Sequence, residues 1–305
     1  MTVSPGDLSH LQPAHRPYAL LADDERVEWI RQERWIDYTR ADQVLVRLSE
    51  LLRYPARQRM PALLLFGTTG MGKTRIIQRF LREHDSHFDE VRGTTRLPVA
   101  AIQMPPTPGE RDFYEELLVA MGVVLPSGLS STNLRQRVRV LARQLEVRML
   151  IIDEIHAMLS GTFREQRIFL NCLRFLANDL HLPLVCVGTR EAKQALMTDQ
   201  QLADRFEARE LPVWRDDTAF HQLLATFGST LPLRKASGLR EARLRKRILN
   251  LTDGVTVRIC RLLEEAAVQA IVSGGEQIEL DTLSEEAVTA SLVSISDRRL
   301  RRAAA

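Results

Sequence analysis

The chain has 305 residues, a 45% apolar and 27% charged composition, and a formal net charge of +3. That is enough to bury a core of one large or two modest domains, and it excludes a disordered or globally basic chain. No apolar run approaches the roughly 18 residues a bilayer requires, and no signal-peptide core opens the chain, so a cytoplasmic, membrane-free protein is expected. Cys172, Cys186 and Cys260 are odd in number and widely spaced, which argues against a disulfide framework or a zinc site.

Residues 1 to about 24 read as a loose arm, followed by helices from Glu25 to Arg34 and from Arg40 to Leu52. The apolar run Ala62 to Phe66 predicts a buried strand. It leads directly into Gly67-Thr68-Thr69-Gly70-Met71-Gly72-Lys73-Thr74, a complete G-x-x-x-x-G-K-[ST] sequence, and then into a helix through Ile76 to Leu81. This strand, loop and helix order is the setting of a phosphate-binding loop. Glycines let backbone N–H groups turn around a polyphosphate, and the helix N-terminus adds partial positive charge. Lys73 is expected to reach the β- and γ-phosphates of ATP, and the Thr74 hydroxyl to ligate Mg²⁺.

Further strands are predicted at Leu97–Met104, Val147–Ile152, Leu184–Val187 and Glu210–Val213. Helices are predicted at Glu110–Met121, Leu134–Leu145 and Gln166–Asp179. Short apolar strands alternating with helices predict an α/β fold with a mainly parallel sheet. After Trp214 the strands stop, and helices are expected at Asp216–Phe227, Glu241–Leu251, Val257–Val272 and Asp281–Ser291. The expected domains are therefore an N-terminal arm with helices (1–53), an ATPase core (54–214), a helical subdomain (215–295) and a basic tail (296–305).

The strand Met149 to Ile152 ends in Asp153-Glu154. After a complete phosphate-binding loop, this pattern assigns Asp153 to Mg²⁺ and Glu154 to the attacking water, hence a Mg-dependent ATPase. Val185-Cys186-Val187-Gly188-Thr189 is a third strand with a small polar tip. Arg205 follows a short helix after it, and Arg258 lies in Gly254-Val255-Thr256-Val257-Arg258, which opens a helix. In this order the residues resemble the layout of AAA+ P-loop NTPases with an N-terminal helical extension and a C-terminal helical lid. The resemblance implies Thr189 as sensor 1, Arg205 as an arginine finger and Arg258 as sensor 2, with Arg209 the alternative finger. A finger serves a neighbour's γ-phosphate, so a homo-oligomer is implied.

Trp29-Ile30-Arg31 through Arg34-Trp35-Ile36, the phosphate-binding loop, Val99 to Pro106 leading into Glu110-Arg111-Asp112-Phe113-Tyr114, and Asp153-Glu154-Ile155-His156 together resemble the TniB family of transposition proteins. That family is related to TnsC and phage MuB. The resemblance implies ATP-dependent assembly on double-stranded DNA, as a ring or helical filament, and recruitment of a DDE transposase, with a target-selection adaptor as a further partner. It also offers Arg111, and secondarily Gln103, as DNA contacts. The alternatives are an AAA+ helicase loader or replication initiator, and a signalling P-loop NTPase switch. The basic block from Arg234 to Arg247 offers phosphate or acidic-partner binding, but its spacing favours the solvated face of a helix whose apolar stripe is Leu239, Leu244, Ile248 and Leu251.

Overall fold

The computed structural model describes residues 7–124, 128–284, 286 and 288. The chain divides into two compact units: residues 43–212, and residues 1–42 together with 213–305. The N-terminal and C-terminal helices thus belong to one body, with the sheet-bearing segment inserted between them in sequence.

The chain begins with α1 (Arg16–Ala19), α2 (Asp23–Arg31) and α3 (Thr39–Leu52), the last crossing the division between the units. The sheet-bearing unit continues through β1 (Ala62–Phe66), α4 (Lys73–Glu83), β2 (His87–Asp89), β3 (Thr94–Arg96), β4 (Val99–Gln103) and α5 (Glu110–Ala120). It is completed by α6 (Ser131–Gln144), β5 (Met149–Asp153), α7 (Phe163–Leu180), β6 (Leu184–Gly188), α8 (Arg190–Leu196), α9 (Gln200–Ala203) and β7 (Phe206–Glu210). The helical unit adds α10 (Thr218–Thr230), α11 (Ala242–Thr252) and α12 (Thr256–Val272).

Five strands form one sheet in the order β4-β5-β6-β1-β7, and every pairing in it is parallel. β1 and β6 are buried at every position, as continuous apolar runs must be when helices cover both faces. The core on one side is built from Leu64, Ile152 and Cys186 of the strands with Phe113, Tyr114, Phe169 and Leu173 of α5 and α7. Each such side chain contributes about 1.5–3 kcal/mol of transfer free energy. α7 starts where Thr162 and Glu165 form a reciprocal capping box, with Thr162 Oγ1 accepting from the Glu165 N–H at 3.3 Å.

Several elements differ from the sequence expectation, among them α1, which falls within the segment expected to be a loose arm. β7 occupies Phe206–Glu210, not Glu210–Val213. It is a half-exposed edge strand with three charged or polar positions, so its apolar signal is weak, whereas the apolar Leu211-Pro212-Val213 follows it as irregular chain. The antiparallel hairpin β2–β3 is polar and exposed; it closes on Asp89, whose Oδ1 accepts from the N–H groups of Val91 and Arg92, and lacks the alternation that would reveal it. At the C-terminal end, Thr282–Ser284 forms a 3-10 turn within the predicted helix Asp281–Ser291. Of the remainder of that helix only Glu286 and Val288 are described, and the basic tail lies outside the described residues.

In the helical unit, Arg26 of α2 is fully buried. Its Nη1 and Nη2 donate to Glu276 Oε2 and Oε1, both at 2.7 Å, and Nη1 also donates to the Pro232 carbonyl. Burial alone would raise the Glu276 carboxyl, but hydrogen bonds from Arg26 and the Arg234 N–H outweigh it and hold the group below the usual carboxylate range. This contribution to stability is therefore present above the unfolded-state pKa and lost as pH falls through the folded one. Arg26→Met, which strands a buried carboxylate, is expected to cost about 3–5 kcal/mol near pH 7. The difference from wild type should shrink below about pH 4, and adding Glu276→Gln should recover part of it; thermal melts across pH test both.

Candidate nucleotide site

β1 delivers the chain at Gly67, where a Cβ would stand 2.5 Å from the Leu211 carbonyl oxygen. The backbone after β7 crosses there, fixed by the Leu211 N–H donating to the Phe66 carbonyl at 2.8 Å, and only glycine permits that approach. Gly72, at φ 87°, is the left-handed residue that turns the loop into α4. Thr68 and Thr69 are exposed on the loop, Gly70 is half-buried and Met71 is buried beneath it. Lys73 is buried at the first turn of α4, and its Nζ donates to the carbonyls of Gly67 and Thr68, each at 3.0 Å. Burial pushes its amine down, and the Glu154 and Asp153 carboxylates partly restore it.

The tip of β5 meets this loop. Thr74 Oγ1 donates to Asp153 Oδ2 at 2.7 Å, and the Glu154 N–H donates to Asp153 Oδ1 at 2.7 Å. A hydroxyl and a carboxylate oxygen converging on one point beside a phosphate-binding loop are the hard-oxygen donors that Mg²⁺ takes, with phosphate oxygens and water completing its shell. The donor set therefore fits a nucleotide-bound Mg²⁺. No group of three or more His, Cys, Asp or Glu side chains among the described residues could hold a metal alone. Burial pushes the Cys172 and Cys186 thiols up, each to about 12, so neither is a thiolate near neutral pH.

Glu154 takes left-handed backbone geometry, φ 54°, at the start of a 3-10 turn over Ile155–Ser160. Such a conformation costs a non-glycine residue about 1–2 kcal/mol, and it turns the carboxylate away from the strand direction. Glu154 Oε2 lies 3.1 Å from His156 Nε2, while His156 Nδ1 is buried without a partner. This histidine has no assigned role in the sequence reading; its spacing two residues beyond Glu154 on a tight turn is the signal that brings the two side chains together. Thr189, at the tip of β6, has its hydroxyl shielded from solvent with no hydrogen bond of normal geometry. The exposed Glu191 beside it is held below the usual carboxylate range, the Thr189 hydroxyl being the largest cause.

The remaining candidate residues lie on other elements. Gln103 ends β4 directly opposite Asp153 in register and is exposed. Arg111 lies in the first turn of α5, where its Nε donates to Glu115 Oε1 at 2.9 Å. Arg205 precedes β7, and its carbonyl accepts from the Ala62 N–H at 3.0 Å. It is therefore at the opposite end of the parallel strands from the phosphate-binding loop, a five-residue strand of roughly 16 Å away. Arg209 sits within β7 opposite Leu65, donating to the Gln43 carbonyl at 3.0 Å. Arg258 belongs to the helical unit, in the first turn of α12, and pairs with Asp253 at 2.8 Å. Of the basic block, Arg234 turns inward to Glu276 and the carbonyls of Ala19 and Leu21. Leu239, Leu244 and Ile248 are buried.

A family model described as "Bacterial TniB protein" matches residues 26–216. The chain belongs to the TniB family of P-loop NTPase transposition proteins. No curated protein matches it. Among solved structures it is similar to ORC2 from Aeropyrum pernix in ADPNP–ADP complexes, with a TM-score of 0.60 and 16% identity, covering 90% of this chain and 74% of that one. It is similar to Cdc6p from Pyrobaculum aerophilum, with a TM-score of 0.60 and 17% identity over 90% and 73% of the two chains. It is also similar to Aeropyrum pernix ORC1 in complex with DNA, with a TM-score of 0.59 and 17% identity over 87% and 69%. At these identities the likeness is one of fold, and the fold is AAA+.

Gly67→Ala places a methyl group against backbone that cannot retreat. The expected loss is about 2 kcal/mol or more, with a melting temperature lower by several degrees and nucleotide binding abolished. Thermal unfolding and a fluorescent-ATP titration read both.

Proposed function

From membership of the TniB family and the geometry around Asp153, we propose that this chain is an ATP-dependent, DNA-binding AAA+ regulator of DNA transposition. It assembles on target duplex DNA as a ring or filament and recruits or activates a DDE transposase, with a target-selection adaptor as a further partner. The observation that carries the nucleotide half is the meeting of Lys73, Thr74, Asp153 and Glu154 at the tips of β1 and β5.

Lys73, released from the Gly67 and Thr68 carbonyls, offers its ammonium to the β- and γ-phosphates of ATP. The N–H groups of residues 70–74 at the start of α4 supply donors and the positive end of the helix dipole. Mg²⁺ held through Thr74 and Asp153 would supply neutralising charge between those phosphates. Glu154 accepts the proton of the attacking water, a role its half-exposed carboxylate can take once turned from His156. Thr189 orients the water or the γ-phosphate, and Arg258 serves as sensor 2.

Arg205 stands across the sheet from its own phosphate-binding loop, so it serves as a finger only for a neighbouring subunit. ATP at subunit interfaces would then order the assembly, and hydrolysis would release it. Arg111, and secondarily Gln103, would contact the DNA backbone, which a filament tracks with little sequence preference.

The test is duplex binding with ATP, ADP and a non-hydrolysable analogue, followed by negative-stain imaging. ATP-dependent rings or filaments enclosing DNA are the expected result. Nucleotide binding without DNA-dependent assembly would move the reading to a helicase loader, a replication initiator or a signalling switch. Glu154→Gln should lower turnover at least about 100-fold, within the range of general-base effects, and leave protein locked on DNA. Lys73→Ala should abolish nucleotide-dependent assembly. Glu154→Gln protein leaving DNA as fast as wild type would show that hydrolysis is not the release step.

A further inference from the structure

At the N-terminal edge of the sheet, within residues 43–212, lies an open cavity of about 600 Å³. Gln58, Arg59, Arg174, Asn178, His181, Gln201 and Arg205 line it. Its walls come from the segment entering β1, the C-terminal half of α7, and the stretch from α9 to β7. Three guanidinium groups converge on it, and none of the lining side chains is a carboxylate.

Elsewhere the arginines of this unit mostly meet acids: Arg139 and Arg143 share Asp179, Arg190 holds Glu210, and Arg47 holds Glu50 and Glu207. Here they do not. Arg205 Nη1 donates to the neutral Asn178 Oδ1 at 2.7 Å, and neither Arg205 nor Arg59 forms an ion pair among the described residues. Arg174 is held by Asn171, Gln201 and, at 3.3 Å, Asp199, the one acid nearby. Burial lowers the Arg205 guanidinium, and the charges of Arg59 and Arg174 lower it further, against a smaller pull from Asp199. Charge left uncompensated in a concave, donor-lined site is relieved by a polyanion, and planar guanidinium forks match phosphate oxygens in pairs.

We propose that Arg59 and Arg174 form, together with Arg205, a cleft that receives the phosphate chain of the nucleoside triphosphate bound by a second copy of this chain. The inference rests on the reading of Arg205 as a finger and enlarges it from one residue to a three-arginine site. In a head-to-tail assembly the edge carrying one subunit's loop meets a different edge of the next, and this cleft is on the edge opposite the loop. Arg59 is three residues ahead of β1, whose other end, Phe66, leads into Gly67, so a phosphate held in the cleft bears on the strand that carries the subunit's own loop.

The test measures DNA-stimulated ATP turnover of the full chain carrying Arg59→Ala and Arg174→Ala together, beside Arg205→Ala and wild type. The double variant should lose at least tenfold in kcat, while fluorescent-ATP affinity of the dilute, unassembled protein changes less than twofold. Mixing it with Glu154→Gln protein, which lacks its own base but keeps an intact cleft, should restore turnover above the sum of the two alone. Turnover of the double variant within twofold of wild type, or a loss that mixing does not rescue, overturns the proposal. If Arg205→Ala keeps wild-type turnover, the finger reading itself fails; if only the double variant keeps it, the enlarged cleft alone fails. Arg59→Glu, a single change at an exposed position, covers the case of a double variant that folds poorly. It should lose more turnover than Arg59→Ala, and equal activity would count against the cleft.

Discussion

The hydrogen bond from Thr74 Oγ1 to Asp153 Oδ2 sets the terms for the rest of the nucleotide-binding unit. Its two partners hang from β1 and β5, which are not neighbours, because β6 lies between them. Two strand spacings of about 4.8 Å must be bridged above the tip of β6, so that tip has to be low and narrow. Gly188 meets the requirement: a Cβ there would stand 2.9 Å from the Ala192 Cβ and 3.0 Å from Ile155 Cγ2. The neighbouring strands then fall into place around the contact. The Met104 N–H donates to the Asp153 carbonyl from the β4 side, and the chain after β7 seals Gly67 from the other.

A parallel sheet has two chemically different edges, and this one uses both. The C-terminal tips carry Lys73, Thr74, Asp153, Glu154 and Thr189, all positioned by strands that end together. The N-terminal edge carries Arg59 and Arg205, with Arg174 reaching in from α7. One end of the sheet therefore offers acids, a hydroxyl and an ammonium, and the other three guanidinium groups, of which only Arg174 is ion-paired among the described residues, to Asp199. In the proposed head-to-tail assembly these two ends would meet between copies rather than within one.

What the sequence revealed follows from how strongly burial writes itself into composition. β1, β5 and β6 are buried on both faces, so their apolar runs are unbroken, and the phosphate-binding loop is legible because its glycines answer local backbone demands. β7 is an edge strand with one side open, and its alternating charges hid it behind the more apolar Leu211-Pro212-Val213. The union of the N-terminal and C-terminal helices in one body depends on pairs 250 positions apart, such as Arg26 with Glu276, which no local pattern announces. Arg174 was hidden for the same reason, since the cavity beside α7 is not a sequence motif. The P-loop and Walker-type acids could be named in advance because their spacing is local, whereas partners assembled from several elements could not.

The arginine content illustrates why counts mislead where placement does not. With only four lysines, nearly all positive charge is guanidinium, which suits planar, bidentate contacts to phosphate and carboxylate. In the structure much of it is spent internally. Arg26 is buried against Glu276, Arg34 stacks over Trp29 at 4.2 Å, and Arg234, the first of the densest basic block, turns to Glu276 and backbone carbonyls. Arg40 lies over Trp214 at 4.2 Å while pairing with Asp217. Because these groups are already neutralised or desolvated, they add little to a field outside the protein. Anion binding must then be sought where guanidinium groups face a cavity without carboxylates, which is a property of position rather than of composition.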